Sequence, residues 1–182
     1  INAYREFVLK STMDTLTTQS LIGTYYEENK RNFLLKEPIY RLRYISFPLD
    51  NVDRREITRR FNRFDPEDVK FLDSLSFQFS NYFLSDSIWL NQIEVRDRLG
   101  YLDQQQQERF LKSPNYYEVK DSLALYLYQL AGRLDRGNVA PISYLENTIR
   151  DIVFNQRKLE FLRSFDIDIL QDAIKTKKCE KY

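Results

Sequence analysis

Histidine is absent from this 182-residue chain. With it go the commonest general base, proton shuttle and metal ligand, and the one side chain that ordinarily titrates near neutral pH. Glycine occurs only four times, at Gly23, Gly100, Gly132 and Gly137, which is too few for phosphate-cradling loops. The single cysteine, Cys179, lies in a polar tail, so the chain has neither an internal disulfide nor a cysteine-rich zinc cluster. No apolar run approaches the roughly 20 residues that cross a bilayer. Charge nearly cancels, with 28 basic and 27 acidic residues and a net charge of +1. That balance gives no electrostatic case for nucleic acid or an anionic membrane as partner.

What is present is a core former. Hydrophobic residues make up 42% and aromatic residues 15% of the chain, with 13 tyrosines and 13 phenylalanines. The chain is long enough for one large domain or two small ones. It starts at Ile1 without an initiator methionine or a signal peptide, so a processed chain or an excised fragment is expected.

Hydrophobic spacing predicts helices over Asn2 to Leu16 and Leu21 to Phe33. Glu37-Pro38 ends the second, because a residue before proline is pushed to extended geometry. A strand is expected from Ile39 to Phe47, with Tyr40, Leu42, Tyr44 and Ser46 on one face and Arg41, Arg43, Ile45 and Phe47 on the other. Helices are predicted over Val52 to Asn62 and Pro66 to Phe83, the latter with Asp65 as cap and Pro66 as its first residue. Ser87 to Leu90 is a short strand candidate, and Gln92 to Gly100 and Asp103 to Lys112 are short helix candidates. Tyr116 to Val119 and Leu123 to Leu130 read as strands joined through Lys120-Asp121-Ser122.

Pro141 opens the longest helix, Ile142 to Thr176, and Ser143-x-x-Glu146 has the form of a capping box. An apolar stripe of Leu145, Ile149, Ile152, Leu159 and Leu162 runs along it, and Ile149, Ile152 and Leu159 are expected to pack the scaffold. The fold class is therefore α+β: mostly helical, with a small four-stranded sheet between flanking helices.

Other clusters read as structure. Glu27-Glu28 and Asp166 with Asp168 suit solvated helix surface. Arg54, Arg55, Arg59 and Arg60 lie among Asp53, Glu56, Asp65, Glu67 and Asp68, which reads as a salt-bridged face and not a nucleic-acid patch. The glutamine run 104–107 reads as exposed helix, and Cys179 has no visible activating partner.

Three stretches carry a family likeness. "TYYEENKRNF", Thr24 to Phe33, is similar to the helix that enters a parvulin domain. "YRLRYISFP", Tyr40 to Pro48, resembles the first parvulin strand, where the family has Arg-x-Arg-His-Ile-Leu. "PISYLENTIRDIVFNQRKLEFL", Pro141 to Leu162, resembles the helix that returns to the chaperone core of SurA/PrsA-type periplasmic foldases. The resemblance implies three parts: N-terminal core helices at 1–37, truncated; a degenerate parvulin-like domain at 38–134; and a long C-terminal core helix at 135–182.

The same resemblance places Tyr44 and Tyr126 where the family has its two catalytic-site histidines, and the glycines of its Gly-Gly-x-Leu-Gly-Trp turn are missing. It implies no catalytic residue and lost isomerase activity. Tyr44, Trp89, Leu90, Tyr126 and Tyr128 are the implied peptide-binding residues. It implies a periplasmic chaperone for unfolded or outer-membrane clients, anchored to the membrane through a missing N-terminus if at all. No cofactor, metal, nucleic acid or small-molecule substrate is expected. The alternatives are a divergent but active prolyl isomerase that works with tyrosines, and a fixed subunit of an envelope complex with one protein partner.

Overall fold

A computed structural model describes residues 18–112 and 116–179. The chain divides into two compact units. One runs from Phe33 to Tyr144. The other combines the described residues before Phe33 with those from Leu145 onward. The expected helix over Asn2 to Leu16 lies outside the described residues.

The first unit is organised by a four-stranded antiparallel sheet of order β2-β1-β4-β3. Its strands are β1 (Ile39–Pro48), β2 (Asn81–Phe83), β3 (Tyr116–Lys120) and β4 (Ala124–Leu134). The fold is α+β, as expected. In β1 and β4 nearly every second side chain is apolar on each face, so both faces are buried. Tyr40, Leu42, Tyr126, Tyr128 and Leu130 share one apolar cluster with Val95, Leu99, Phe110 and Leu111. Those four come from helices α4 (Gln92–Arg98) and α5 (Gln104–Lys112) and the turn between them. Ile45, Phe47, Leu125 and Leu127 share a second cluster with Ile57, Phe61, Leu72 and Phe79. That side is covered by α2 (Arg54–Arg63) and α3 (Pro66–Ser74).

Register is fixed along the whole of β1. Tyr44 faces Tyr128, and Pro48 faces Ala124. Arg41 pairs with Gly132 while Leu42 pairs with Leu130, so Ala131 is an extra residue that forms a bulge in β4. A Cβ at Gly132 would stand 2.6 Å from Arg41 Nε, which is why the smallest residue occupies that site.

Reciprocal caps set the helix starts. Asp65 and Asp68 cap α3, and Asn91 and Glu94 cap α4. Asp103 and Gln106 exchange the same pair of bonds before α5, at 2.8 and 2.9 Å. The incoming and outgoing segments of the unit are tied side by side. Leu35 N donates to Asn138 O at 2.8 Å, and Ala140 N donates to Phe33 O at 2.8 Å. Gly137 sits in the turn between them with φ of 88°, a conformation that favours glycine.

Three elements differ from expectation. The helix predicted over Pro66 to Phe83 ends at Ser74 and is followed by a 3-10 turn, Ser76–Gln78, and strand β2. The Ser74 hydroxyl donates to Phe71 O at 2.7 Å in the last turn, and Tyr82 and Phe83 favour an edge position beside Tyr44 and Ile45. Ser87 to Leu90 is not a strand; only Leu90 bridges β1, exchanging bonds with Tyr40 at 2.8 and 2.9 Å. The capping box expected at Ser143 does not form, because the helix already begins at Ile142 and Glu146 pairs with Arg150 at 2.8 Å.

In the second unit, α1 (Gln19–Asn29) is capped by Thr18, whose hydroxyl accepts from Leu21 N at 3.4 Å. It buries Ile22 and Tyr26, one turn apart. Helix α6 (Ile142–Cys179) continues from the first unit and buries Ile149 and Val153 in the same i, i+4 fashion. Leu159 was expected to pack like Ile149, but it is 55% exposed. Ile167, Leu170 and Ile174 are also exposed further along the helix.

Candidate peptide-binding face

Alternation along β1 and β4 brings Tyr44, Tyr126 and Tyr128 to one face of the sheet. Tyr44 stands directly opposite Tyr128 on one side and Phe83 on the other. Its ring lies 6.1 Å from Phe83, nearly parallel at 16°, and 6.3 Å from Tyr128 at 40°. The Arg98 guanidinium sits 5.6 Å over the Phe83 ring. Phe110 packs edge-on against both Tyr128 and Tyr117. Tyr126 faces Ser46 across the ladder and is covered by Tyr101, whose ring is stacked at 3.8 Å.

The phenols are engaged within the protein. The Tyr44 hydroxyl donates to Asn81 Oδ1 at 3.2 Å. The Tyr126 hydroxyl donates to Asp121 Oδ2 at 2.8 Å. The other Asp121 oxygen accepts the backbone N–H groups of Leu123 and Ala124 at 2.7 and 2.8 Å, which closes the β3–β4 turn. Those backbone bonds, with the Tyr126 bond, hold the Asp121 carboxyl below its ordinary range. Burial raises the Tyr126 phenol, and its bond to Asp121 adds to the effect. Burial likewise raises Tyr128. A phenol above its usual range stays protonated at neutral pH and offers no base. Stacking and apolar contact are what this face can do chemically. Among the described residues, no group of three acidic or cysteine side chains is placed to hold a metal ion.

The five residues named from sequence are only partly gathered. Leu90, Tyr126 and Tyr128 lie in one buried cluster, and Tyr44, half-buried, packs against it. Trp89 is held elsewhere, with the Arg41 guanidinium 4.8 Å over its ring. The reading missed Tyr101, Phe83, Arg98 and Asp121. Tyr101 is 60% exposed and supplies the accessible ring of the face. Asp121 sits at a position of the Lys-Asp-Ser turn where an aspartate commonly accepts backbone N–H bonds, so it was legible.

No family model and no curated protein matches the chain. Solved structures do show similarity. One of them comes from a description of the virulence factor PEB4 and the periplasmic protein Cj1289 as two structurally related SurA-like chaperones in Campylobacter jejuni. The identity is 12% and the TM-score 0.34, over 94% of this chain and 67% of that one. The likeness to a SurA-like chaperone is therefore distant.

Proposed function

We propose that this chain is a SurA-like periplasmic chaperone that binds unfolded or partly folded polypeptides, outer-membrane proteins among them, without prolyl isomerase activity. In this reading, 38–134 is a degenerate parvulin-like module between helices of a chaperone core. The observation that carries it is the aromatic face: Tyr101 offers its ring to solvent beside the half-buried Tyr44 and Phe83, while Tyr44 and Tyr126 commit their hydroxyls to Asn81 and Asp121. Rotation about an X–Pro bond faces a barrier of about 18–20 kcal/mol. An isomerase must bind the twisted amide better than the planar forms. Two phenols bonded inward leave no donor or base for that task. Aromatic rings instead take many sequences weakly, because every apolar side chain can pack on them. The exposed Leu159, Ile167, Leu170 and Ile174 on α6 add apolar surface for further weak contacts.

The test is NMR exchange spectroscopy on an aromatic-X-Pro-aromatic peptide, alongside suppression of aggregation of a denatured protein. Peptide line broadening without cis–trans cross-peaks, together with suppressed aggregation, is expected. Exchange cross-peaks at catalytic protein concentrations would establish an isomerase instead. No broadening and no suppression would leave a fixed protein partner as the better reading.

A further inference from the structure

On the opposite side of the sheet from the tyrosine face, Arg54, Arg55, Thr58 and Arg59 of α2 line an open cleft with Glu118 of β3. Cations outnumber carboxylates there. Glu118 lies 3.9 Å from Arg54 and already accepts the Tyr116 hydroxyl at 2.7 Å. Glu56 is shared between Arg59 at 2.7 Å and Arg60 at 2.5 Å. Arg55 is exposed and has no ion pair among the described residues. Arg54 and Arg55 also stand in the first turn of α2, where the helix dipole favours acidic groups, so neither gains from its position. The whole chain carries only +1, which makes this a local concentration of positive charge.

Exposed apolar residues stand on the chain segments next to the lining elements. Val52, just before α2, is 94% exposed, and Leu123, in the β3–β4 turn, is 79% exposed. Leu49 N donates to Leu123 O at 3.0 Å, which sets the two loops side by side. Strand β3 is an edge of the sheet, so one row of its backbone groups has no strand partner among the described residues.

We propose that this cleft and the outer edge of β3 form a docking surface for an extended polypeptide segment that carries carboxylates next to apolar side chains. The segment's acidic groups pair with Arg54, Arg55 and Arg59, displacing Glu118 from Arg54 and competing with Glu56 for Arg59, its apolar groups cover Val52 and Leu123, and its backbone pairs along β3. A nucleic acid fits poorly, because Glu118 stands within the cleft and the exposed apolar residues on the adjoining segments offer nothing to phosphates. The inference rests on the polypeptide-binding reading for the class of partner, but it uses other residues and another face.

The probe is a synthetic peptide alternating Glu with Val or Leu, titrated into the full chain and followed by amide shifts and calorimetry. Its Lys-for-Glu counterpart and a single-stranded oligonucleotide are the controls. Shifts are expected at Arg54, Arg55, Thr58, Arg59 and 116–120, with affinity falling as salt rises. R55E/R59E should weaken the acidic peptide about tenfold while far-UV circular dichroism is unchanged, since both side chains are exposed. Glu118→Gln removes the competing carboxylate and should tighten binding. Equal binding of the lysine peptide, tighter binding of the oligonucleotide at the same amides, or undiminished binding by R55E/R59E would overturn the proposal. If aggregation suppression fails while the acidic peptide still shifts these amides, the chaperone reading falls and this docking surface stands.

Discussion

Tyr101 lies flat over Tyr126, with ring centroids 3.8 Å apart and planes 23° apart. The lower ring is buried and the upper one is 60% exposed. The pair converts a buried strand position into part of the surface, because whatever touches Tyr101 rests on a ring held by the sheet. Tyr126 is in turn fixed through its hydroxyl to Asp121, which also caps the β3–β4 turn. Turn, strand and accessible aromatic surface are thus one connected unit.

The sheet holds that unit only while its far side stays packed. Phe61 of α2 is fully buried against Phe64 and Tyr116, with ring centroids 6.1 and 6.3 Å away. Phe61→Ala is expected to cost about 3–5 kcal/mol through lost burial and a residual cavity. Urea unfolding reads the loss directly; a cost under about 1 kcal/mol would mean that α2 is not part of the cooperative core.

These core positions were legible because periodicity survives local variation. The alternation from Tyr40 to Phe47 predicted both faces of β1, and the predicted strands around Asp121 occupy the positions expected of them. Boundaries set by tertiary pairing were not legible. Phe79, Tyr82 and Phe83 fit a helical stripe as well as a strand, and the edge of β1 decides between them. Tyr101 gave no periodic signal at all, since it stands in a turn between two short helices and meets Tyr126 only through the fold. That Tyr44 stands directly opposite Tyr128, while Tyr126 stands opposite Ser46, is a matter of register that spacing within one strand cannot reveal.

Asp68 gives the fold a specific acid sensitivity. Its side chain is fully buried, accepts from Arg63 Nη2 at 2.5 Å and Nε at 2.7 Å, and takes the Asp65 N–H at 3.1 Å. The Arg63 bonds, more than any other influence, pull its carboxyl down to about 2. An ordinary aspartate in the unfolded chain titrates near 3.9. The folded form is depressed, so its contribution is complete above about pH 4 and is lost as pH falls toward 2. Urea midpoints measured from pH 6 to pH 2 should fall across that window in the wild type. Asp68→Asn should be less stable at pH 6 and show a shallower acid slope; an identical slope would assign the sensitivity to other carboxylates.

Gly132 and Arg41 predict a sign reversal. A methyl group at 132 meets Arg41 Nε at 2.6 Å and Nη2 at 2.8 Å, so the guanidinium has to leave its place. It would lose its 3.1 Å bond to Asp86 O and its position over Trp89. Gly132→Ala is therefore expected to destabilise by roughly 1–2 kcal/mol. With Arg41→Ala already present the obstacle is gone. The same change should then be neutral or stabilise by up to about 1 kcal/mol, because alanine restricts the unfolded chain more than glycine does. A double-mutant cycle by thermal or urea unfolding measures the coupling. Additive effects would mean that the bulge at Ala131, and not the Arg41 contact, sets the requirement at this site.

Tyr101→Ala separates surface function from stability. Its ring is mostly in solvent, so truncation removes one stacked pair, worth about 0.5–1.5 kcal/mol, and leaves the buried clusters intact. The expected result is a small drop in the unfolding midpoint with a disproportionate loss of aggregation suppression. Tyr101→Phe keeps the ring and should restore that suppression, since the proposed contact is with the aromatic face and not the hydroxyl. Tyr128→Ala is the contrast: its ring is buried among Tyr44 and Phe110, so stability and suppression should fall together. If Tyr101→Ala suppresses aggregation as well as the wild type, clients do not use this face, and the exposed apolar residues of α6 become the surface to truncate next.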